Sequence, residues 1–212
     1  MKSVVLLSGG LDSTVSLHQA MEKAEIVLCL HFNYGQKAAL QEIASAKKIT
    51  EHYKVPLKII DLPWLAEITR TSLVNKELKV PTPSTEQLDG EAARQTAMDV
   101  WVPNRNGLFI NIAAAFAESM GADAVVTGFN AEEAITFPDN SLPFIESIKK
   151  SLSYSTLNKV KVISYTQPMN KIDIVKLARQ KNIPIELCWS CYLGGEKPCG
   201  KCESCLRLQR AL

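Results

Sequence analysis

Five short runs of apolar, largely β-branched residues recur along the chain, at 4–7, 26–30, 57–60, 124–127 and 160–163, the third and fifth interrupted by Lys58 and Lys161. Between them lie stretches with helical spacing: Leu17, Ala20, Met21 and Ala24; then Ala39, Ile43, Ala46 and Tyr53; then Phe109, Ile112, Ala113, Phe116 and Met120; then Ile174, Leu177 and Ala178. A strand that is apolar throughout, rather than at alternate positions, needs cover on both faces. Such strands alternating with helices specify an α/β fold with a doubly wound parallel sheet. Asn170 with Asp173 has the spacing of a reciprocal N-terminal cap for the last of these helices. Cys29, set between Leu28 and Leu30, reads as a small core residue.

Two segments break the rhythm. Residues 69–101 carry Pro81 and Pro83 and little periodicity, which predicts an inserted loop or lid. From residue 184 the composition turns to Cys, Gly and charge, so the expected organisation is a main domain over 1–183 and a small Cys-rich tail over 184–212. The 212 residues can bury a sizeable core, and the net charge of +2 gives no composition-level case for binding nucleic acid. No apolar run approaches the ~20 residues of a membrane span. The opening MKSVVLLSGG has too short an apolar stretch for a signal peptide, so the expected location is cytoplasmic, where thiols stay reduced.

Directly after the first apolar run stands Ser8-Gly9-Gly10-Leu11-Asp12-Ser13. In open α/β sheets ligands sit at the carboxyl ends of the strands, where this loop falls. Glycines leave backbone N–H groups uncovered, the following helix adds its positive dipole end, and Ser8, Ser13 and Thr14 supply hydroxyls. A phosphate or pyrophosphate fits that cradle. The alternative is a plain strand-to-helix turn capped by Asp12 or Ser13. Neither the Lys-bearing GxxxxGK[ST] loop nor the dinucleotide GxGxxG pattern is present.

The tail reads CWSCYLGGEKPCGKCESC, with Cys188, Cys191, Cys199, Cys202 and Cys205 separated by two, seven, two and two residues. Cysteines two apart in glycine-containing turns converge on a tetrahedral centre, with zinc the default metal and an iron–sulfur cluster the alternative. Disulfides are disfavoured in a reducing compartment. Five sulfurs compete for four positions, and spacing alone excludes neither Cys188 nor Cys191. Four thiolates leave no open coordination position, which points to a structural metal.

The Ser8–Ser13 stretch matches SGGxDS, the signature of the PP-loop ATP pyrophosphatase superfamily. That resemblance implies cleavage of ATP between its α and β phosphates, with Leu7, Ser8, Gly9, Gly10, Leu11, Asp12, Ser13, Thr14, Val15, Ser16 and Leu17 as the ATP-binding segment. Asp12 would position Mg²⁺ or the first helical turn. From end to end the chain resembles the 7-cyano-7-deazaguanine synthase (QueC) family, through SGGLDSTV, HFNYGQ, VPNRN and CYLGGEKPCGKCESCLR. In that family the zinc ligands match Cys191, Cys199, Cys202 and Cys205, which leaves Cys188 spare. The family reaction converts 7-carboxy-7-deazaguanine, ammonia and ATP into the nitrile, through an adenylated carboxylate and an amide, in queuosine biosynthesis; the resemblance also implies a homodimer.

Catalytic roles then fall to Asp12, Ser13 and Arg105. Arg105 would pair with the substrate carboxylate or a phosphate, its alternative being a solvated surface arginine. Glu133 or Asp139 would accept the paired N–H donors of a guanine edge, and His31 would line the nucleotide pocket. One segment departs from the family: where many members carry tyrosine-proline-aspartate-cysteine-arginine, this chain has Phe137-Pro138-Asp139-Asn140-Ser141. That departure keeps open a ligase joining a deazaguanine acid to another amine. A tRNA-modifying PP-loop enzyme is disfavoured by the bunching of cysteines in the tail and the low net charge. A nucleotide-binding module without catalysis would leave the intact loop pattern unexplained.

Overall fold

A computed structural model describes residues 1–212. Strands β1 (Lys2–Leu6), β2 (Glu25–Asn33), β3 (Leu57–Asp61), β4 (Ala124–Thr127) and β5 (Lys161–Ser164) form one sheet in the order β3-β2-β1-β4-β5. Every neighbouring pair is parallel. The helices crossing over between strands are α1 (Leu11–Met21), α2 (Ala39–Tyr53), α5 (Arg105–Ser119) and α6 (Leu142–Ser155), while α7 (Lys171–Gln180) follows β5.

The two-residue period of a strand sorts its side chains between two cores. Val4, Leu28, Leu30 and Val125 face one side, under Ile110 and Ala113 of α5 and Leu152 of α6. Val5, Leu7, Cys29 and Val126 face the other, against Leu17 and Ala20 of α1 and Ala46 and Ile49 of α2. Cys29 is fully buried, and burial pushes its thiol up to about 12. The chain winds from β1 outward through β2 and β3, then returns to lay β4 and β5 on the other side of β1. The loops after β1 and β4 therefore diverge, and a crevice opens between them at the carboxyl edge of the sheet.

Three details differ from the sequence-based expectations. In α5 the buried line is Ile110, Ala113, Ala114 and Ala117, while Met120 is 42% exposed. That helix is apolar on nearly every side, so periodicity does not select a face. Strand β5 starts one residue later than expected, at Lys161. The segment 69–101, expected as loop or lid, contains helix α4 (Gly90–Asp99), seated on Ala93, Thr96 and Ala97. Pro81 and Pro83 ahead of it punctuate the segment as loop, which masks so short a helix. Short α3 (Pro63–Ile68) precedes the segment, and a 3₁₀ turn at Thr85–Leu88 lies within it. At α7 the expected reciprocal cap is present: Asp173 N donates to Asn170 Oδ1 (2.9 Å) and Asn170 N to Asp173 Oδ2 (3.2 Å).

Candidate active site

The loop between β1 and α1 is held open by glycine. Gly9 has φ +86°, and a Cβ there would lie 2.7 Å from the carbonyl oxygen of Glu42. Gly128 admits the opposite wall: a Cβ on it would stand 2.6 Å from Ser13 N, so β4 can approach the start of α1 only as glycine. Between these walls Ser8 Oγ and Ser13 Oγ lie 3.0 Å apart, and Gly10 N donates to Ser8 Oγ (3.2 Å). Asp12, in the first turn of α1, is partnered through Oδ2 alone, by Lys171 Nζ (2.5 Å) and Asn130 Nδ2 (3.0 Å). Its buried Oδ1 has no protein partner.

The loop borders a cavity of about 240 Å³ at the carboxyl edge of the sheet. Leu7, Ser8, Gly10, Leu11, Asp12 and Ser13 line it, together with His31, Arg105 and Glu133. Gly9, Thr14, Val15, Ser16, Leu17 and Asp139 do not. Thr14 Oγ1 donates to Gly10 O (2.8 Å) and Ser16 Oγ to Thr127 O (2.6 Å), while Val15 and Leu17 have no exposed surface. The side chains of these four residues of the expected ATP-binding segment point into the protein and seat α1. Asp139 stands behind the wall, close enough to Arg105 to influence its charge.

Two cations reach the cavity from an unusual place. Arg105 and Lys171 are each the first residue of a helix, α5 and α7, where the dipole disfavours positive charge by about 0.3–1 kcal/mol. Helix stability does not explain them there. Lys171 is nearly buried, and burial works against its charge. Asp12 and Glu133 outweigh that effect and hold its pKa above the ordinary lysine value. Glu133 Oε1 lies 3.8 Å from Lys171 Nζ, and burial pushes the Glu133 carboxyl up against that attraction. Arg105 donates from Nη1 to Tyr34 Oη (3.3 Å). Burial opposes its charge too, but Tyr34 and Asp139 keep it firmly protonated.

His31, at the end of β2, is 1% exposed. Its Nδ1 bonds the carbonyl of Leu7 (3.0 Å), which assigns the proton to Nδ1 and makes Nε2 an acceptor without a protein partner. Burial lowers its pKa, so the ring is neutral. Phe32 and Phe109 stack at 4.1 Å between centroids and give the cavity an apolar wall.

The tail closes one side of the cavity. Trp189 N donates to Gly9 O (2.9 Å), and Trp189 and Tyr192 line the cavity. Beyond them the sulfurs of Cys191, Cys199, Cys202 and Cys205 all lie within 4.8 Å of one another, with Cys199 and Cys205 at 3.9 Å. Four thiolates ~2.3 Å from a tetrahedral zinc would be separated by about 3.8 Å, so the cluster fits such an ion. Backbone N–H groups of Leu193 and Cys199 point at Cys191 Sγ, each at 3.3 Å. Burial alone would raise the Cys199 thiol, but amide donation from Lys201 and Cys202 draws it down to about 7. Cys188 stands apart, its sulfur 3.5 Å from Thr14 Oγ1, and burial pushes it up to about 11. The fold thereby chooses four of the five sulfurs that spacing left in competition.

A family model described as "Queuosine biosynthesis protein QueC" matches residues 2–212. This chain belongs to the QueC family. A 7-cyano-7-deazaguanine synthase from Pelotomaculum thermopropionicum is 57% identical over 212 residues, covering 100% of this chain and 96% of that protein. A second, from Carboxydothermus hydrogenoformans, is 54% identical over 211 residues, covering 99% and 97%. Among solved structures, a 4-thiouridine synthetase in complex with RNA and with bound ATP superposes with a TM-score of 0.53 at 22% identity. It covers 99% of this chain and 49% of that one, and shows a shared fold.

In this QueC chain the departure at 140–141 has a structural outcome. Asn140 is buried and lines the cavity, whereas Ser141 caps α6 by accepting from Phe144 N (3.3 Å). Lys171 and Asn130, not singled out in the sequence, complete the site around Asp12. A lysine immediately after the Asn170 cap, at the wrong end of a helix dipole, was the available signal for the first. Asn130 had none, because the loop after β4 has no motif of its own.

Proposed function

We propose that the protein is a 7-cyano-7-deazaguanine synthase, an ATP-dependent ligase of queuosine biosynthesis. The observation that carries this is the whole-length QueC match on a chain whose SGGLDS loop borders the cavity at the switch point of the sheet. A carboxylate is a poor electrophile. Its oxygen attacks the α-phosphorus of ATP, pyrophosphate leaves, and the acyl adenylate forms. Ammonia then attacks the acyl carbon, AMP leaves, and the product is the amide. Repeating the activation on the amide oxygen, with loss of AMP and protons, gives the nitrile.

The residues divide this work by position. The amides at the start of α1 with Ser8 and Ser13 receive the departing pyrophosphate, where negative charge accumulates. Lys171 Nζ keeps Asp12 from repelling the phosphates, and Asp12 Oδ1, free of protein partners, is the oxygen left to meet Mg²⁺. Arg105 orients the substrate carboxylate from the far wall. Glu133, which lines the cavity, is the carboxylate placed to accept the N–H donors of a guanine edge, while Asp139, outside the lining, supports the charge of Arg105. His31 Nε2 offers one acceptor to the nucleotide.

Zinc is the metal we assign to the four thiolates, holding the tail folded rather than reacting. Residues 1–183 form the catalytic body, 69–101 its lid and 184–212 the metal-bearing tail. The protein works as a cytoplasmic homodimer. No helix is long and apolar enough to cross a membrane. The test is incubation with Mg-ATP, ammonium and 7-carboxy-7-deazaguanine, following products by mass spectrometry. AMP, pyrophosphate and nitrile are expected. ADP would overturn the mechanism, and AMP without nitrile would overturn the substrate.

A further inference from the structure

Glu132 stands behind the Asp12–Lys171 pair and uses its two oxygens on different elements. Oε2 accepts the backbone N–H of Lys171 (3.0 Å), one of the amides left without a helical partner at the start of α7. Oε1 accepts from Arg207 Nη1 (2.5 Å) and Arg210 Nη2 (2.7 Å). Both arginines belong to α8 (Glu203–Ala211), whose N-cap is Cys202 and whose first turn holds Cys205. Arg207 is 5% exposed; it also donates from Nε to Glu203 Oε1 (2.9 Å) and from Nη2 to Leu88 O (2.5 Å) in the inserted segment. The helix that carries Cys205 and is capped by Cys202 is thus tied through Arg207 and Glu132 to the residue whose Nζ neutralises Asp12.

We infer that Glu132 is a positioning residue for Lys171, held in register by Arg207, so that the thiolate-bearing tail sets the geometry of the phosphate site. The inference rests on the synthase reading for its catalytic consequence. A carboxylate fixed by two guanidiniums cannot rotate, so it anchors the first turn of α7 at one distance and one angle. Lys171 Nζ, several bonds further on, inherits that anchor. Carboxylates that orient metal ligands change activity by about 10–100-fold when removed, and an effect of the same order is expected for one that orients Lys171. Leu88, tied to the same guanidinium, places the inserted segment under the same control.

The test compares Glu132→Gln with the unmodified protein and repeats the substitution on a Lys171→Ala background. Bound zinc, amide exchange along α7, and kcat and KM for ATP in pyrophosphate release are measured for each. Glu132→Gln is expected to keep its zinc, to speed exchange of the Lys171 amide, and to lower kcat about tenfold or more. On the Lys171→Ala background it should cost no further activity, because residues acting through one another are non-additive. Chelation of the metal from the unmodified protein should speed exchange at Lys171 and at Thr85–Leu88. An equal loss on both backgrounds, or exchange of α7 untouched by both the substitution and chelation, would overturn the inference. If the unmodified protein releases no pyrophosphate, the synthase reading fails, and the exchange measurements still decide whether Glu132 and the metal hold α7.

Discussion

Lys171 Nζ lies 2.5 Å from Asp12 Oδ2, although the two stand 159 positions apart in the chain. The pair joins the first turns of α7 and α1, which point their positive dipole ends at the same cavity. Asp12 offsets that positive field and Lys171 restores it, so the balance at the phosphate site turns on the lysine. Lys171→Ala is expected to leave the fold intact and to lower kcat for pyrophosphate release by about 100-fold or more, as loss of one preorganised donor does. Steady-state kinetics with a thermal melt on the same sample checks both halves.

Gly9→Ala should abolish ATP binding before it unfolds the chain. The left-handed backbone costs a non-glycine residue about 1–2 kcal/mol. The added methyl would also meet Glu42 O at 2.7 Å and push the loop off α2. Calorimetric titration with ATP is expected to show no binding while circular dichroism keeps its native shape.

The two free choices among the tail cysteines separate cleanly by metal content. Cys199→Ser should purify with less than one zinc per chain and a tail open to protease, because three thiolates remain of the four that converge. Cys188→Ser should keep full zinc, since its sulfur faces Thr14 rather than the cluster. Elemental analysis of both proteins makes the comparison.

Acid should weaken the fold through Glu132. Burial pushes its carboxyl up, but the bonds from the Lys171 amide, Arg207 and Arg210 outweigh burial and hold it below the ordinary glutamate value. A carboxyl depressed in the folded state stabilises at pH above its unfolded value, and that contribution disappears as pH falls through the folded value. The stability gap between the unmodified protein and Glu132→Gln should therefore be full at neutral pH and close below pH 4.5. Urea melts across that range measure it.

How much of this was legible in the sequence depends on whether a residue belongs to a local pattern. Strands β1, β2 and β4 announce themselves because each has an apolar run that fills both faces, the edge strands β3 and β5 by shorter apolar runs beside Lys58 and Lys161, and the Asn170–Asp173 cap because its partners are three residues apart. The cradle of Ser8, Gly10 and Ser13 is likewise a local object. Gly128, Asn130 and Lys171 owe their place to the crossing of β4 and α7 over α1, a relation between segments more than a hundred residues apart. Thr14, Val15, Ser16 and Leu17 show the converse. The motif includes them by adjacency, but the helical period turns them into the core. Helix α4 was hidden because Pro81 and Pro83 mark its segment as loop.

The central claim is that this chain activates a carboxylate oxygen by transferring AMP to it. Turnover of 7-carboxy-7-deazaguanine labelled with oxygen-18 in both carboxylate oxygens tests it most directly, with the label followed into AMP and pyrophosphate by mass spectrometry. Both carboxylate oxygens are expected to leave on AMP, one at the amide step and one at the nitrile step, with none in pyrophosphate. Unlabelled AMP, or label released as water, would contradict it.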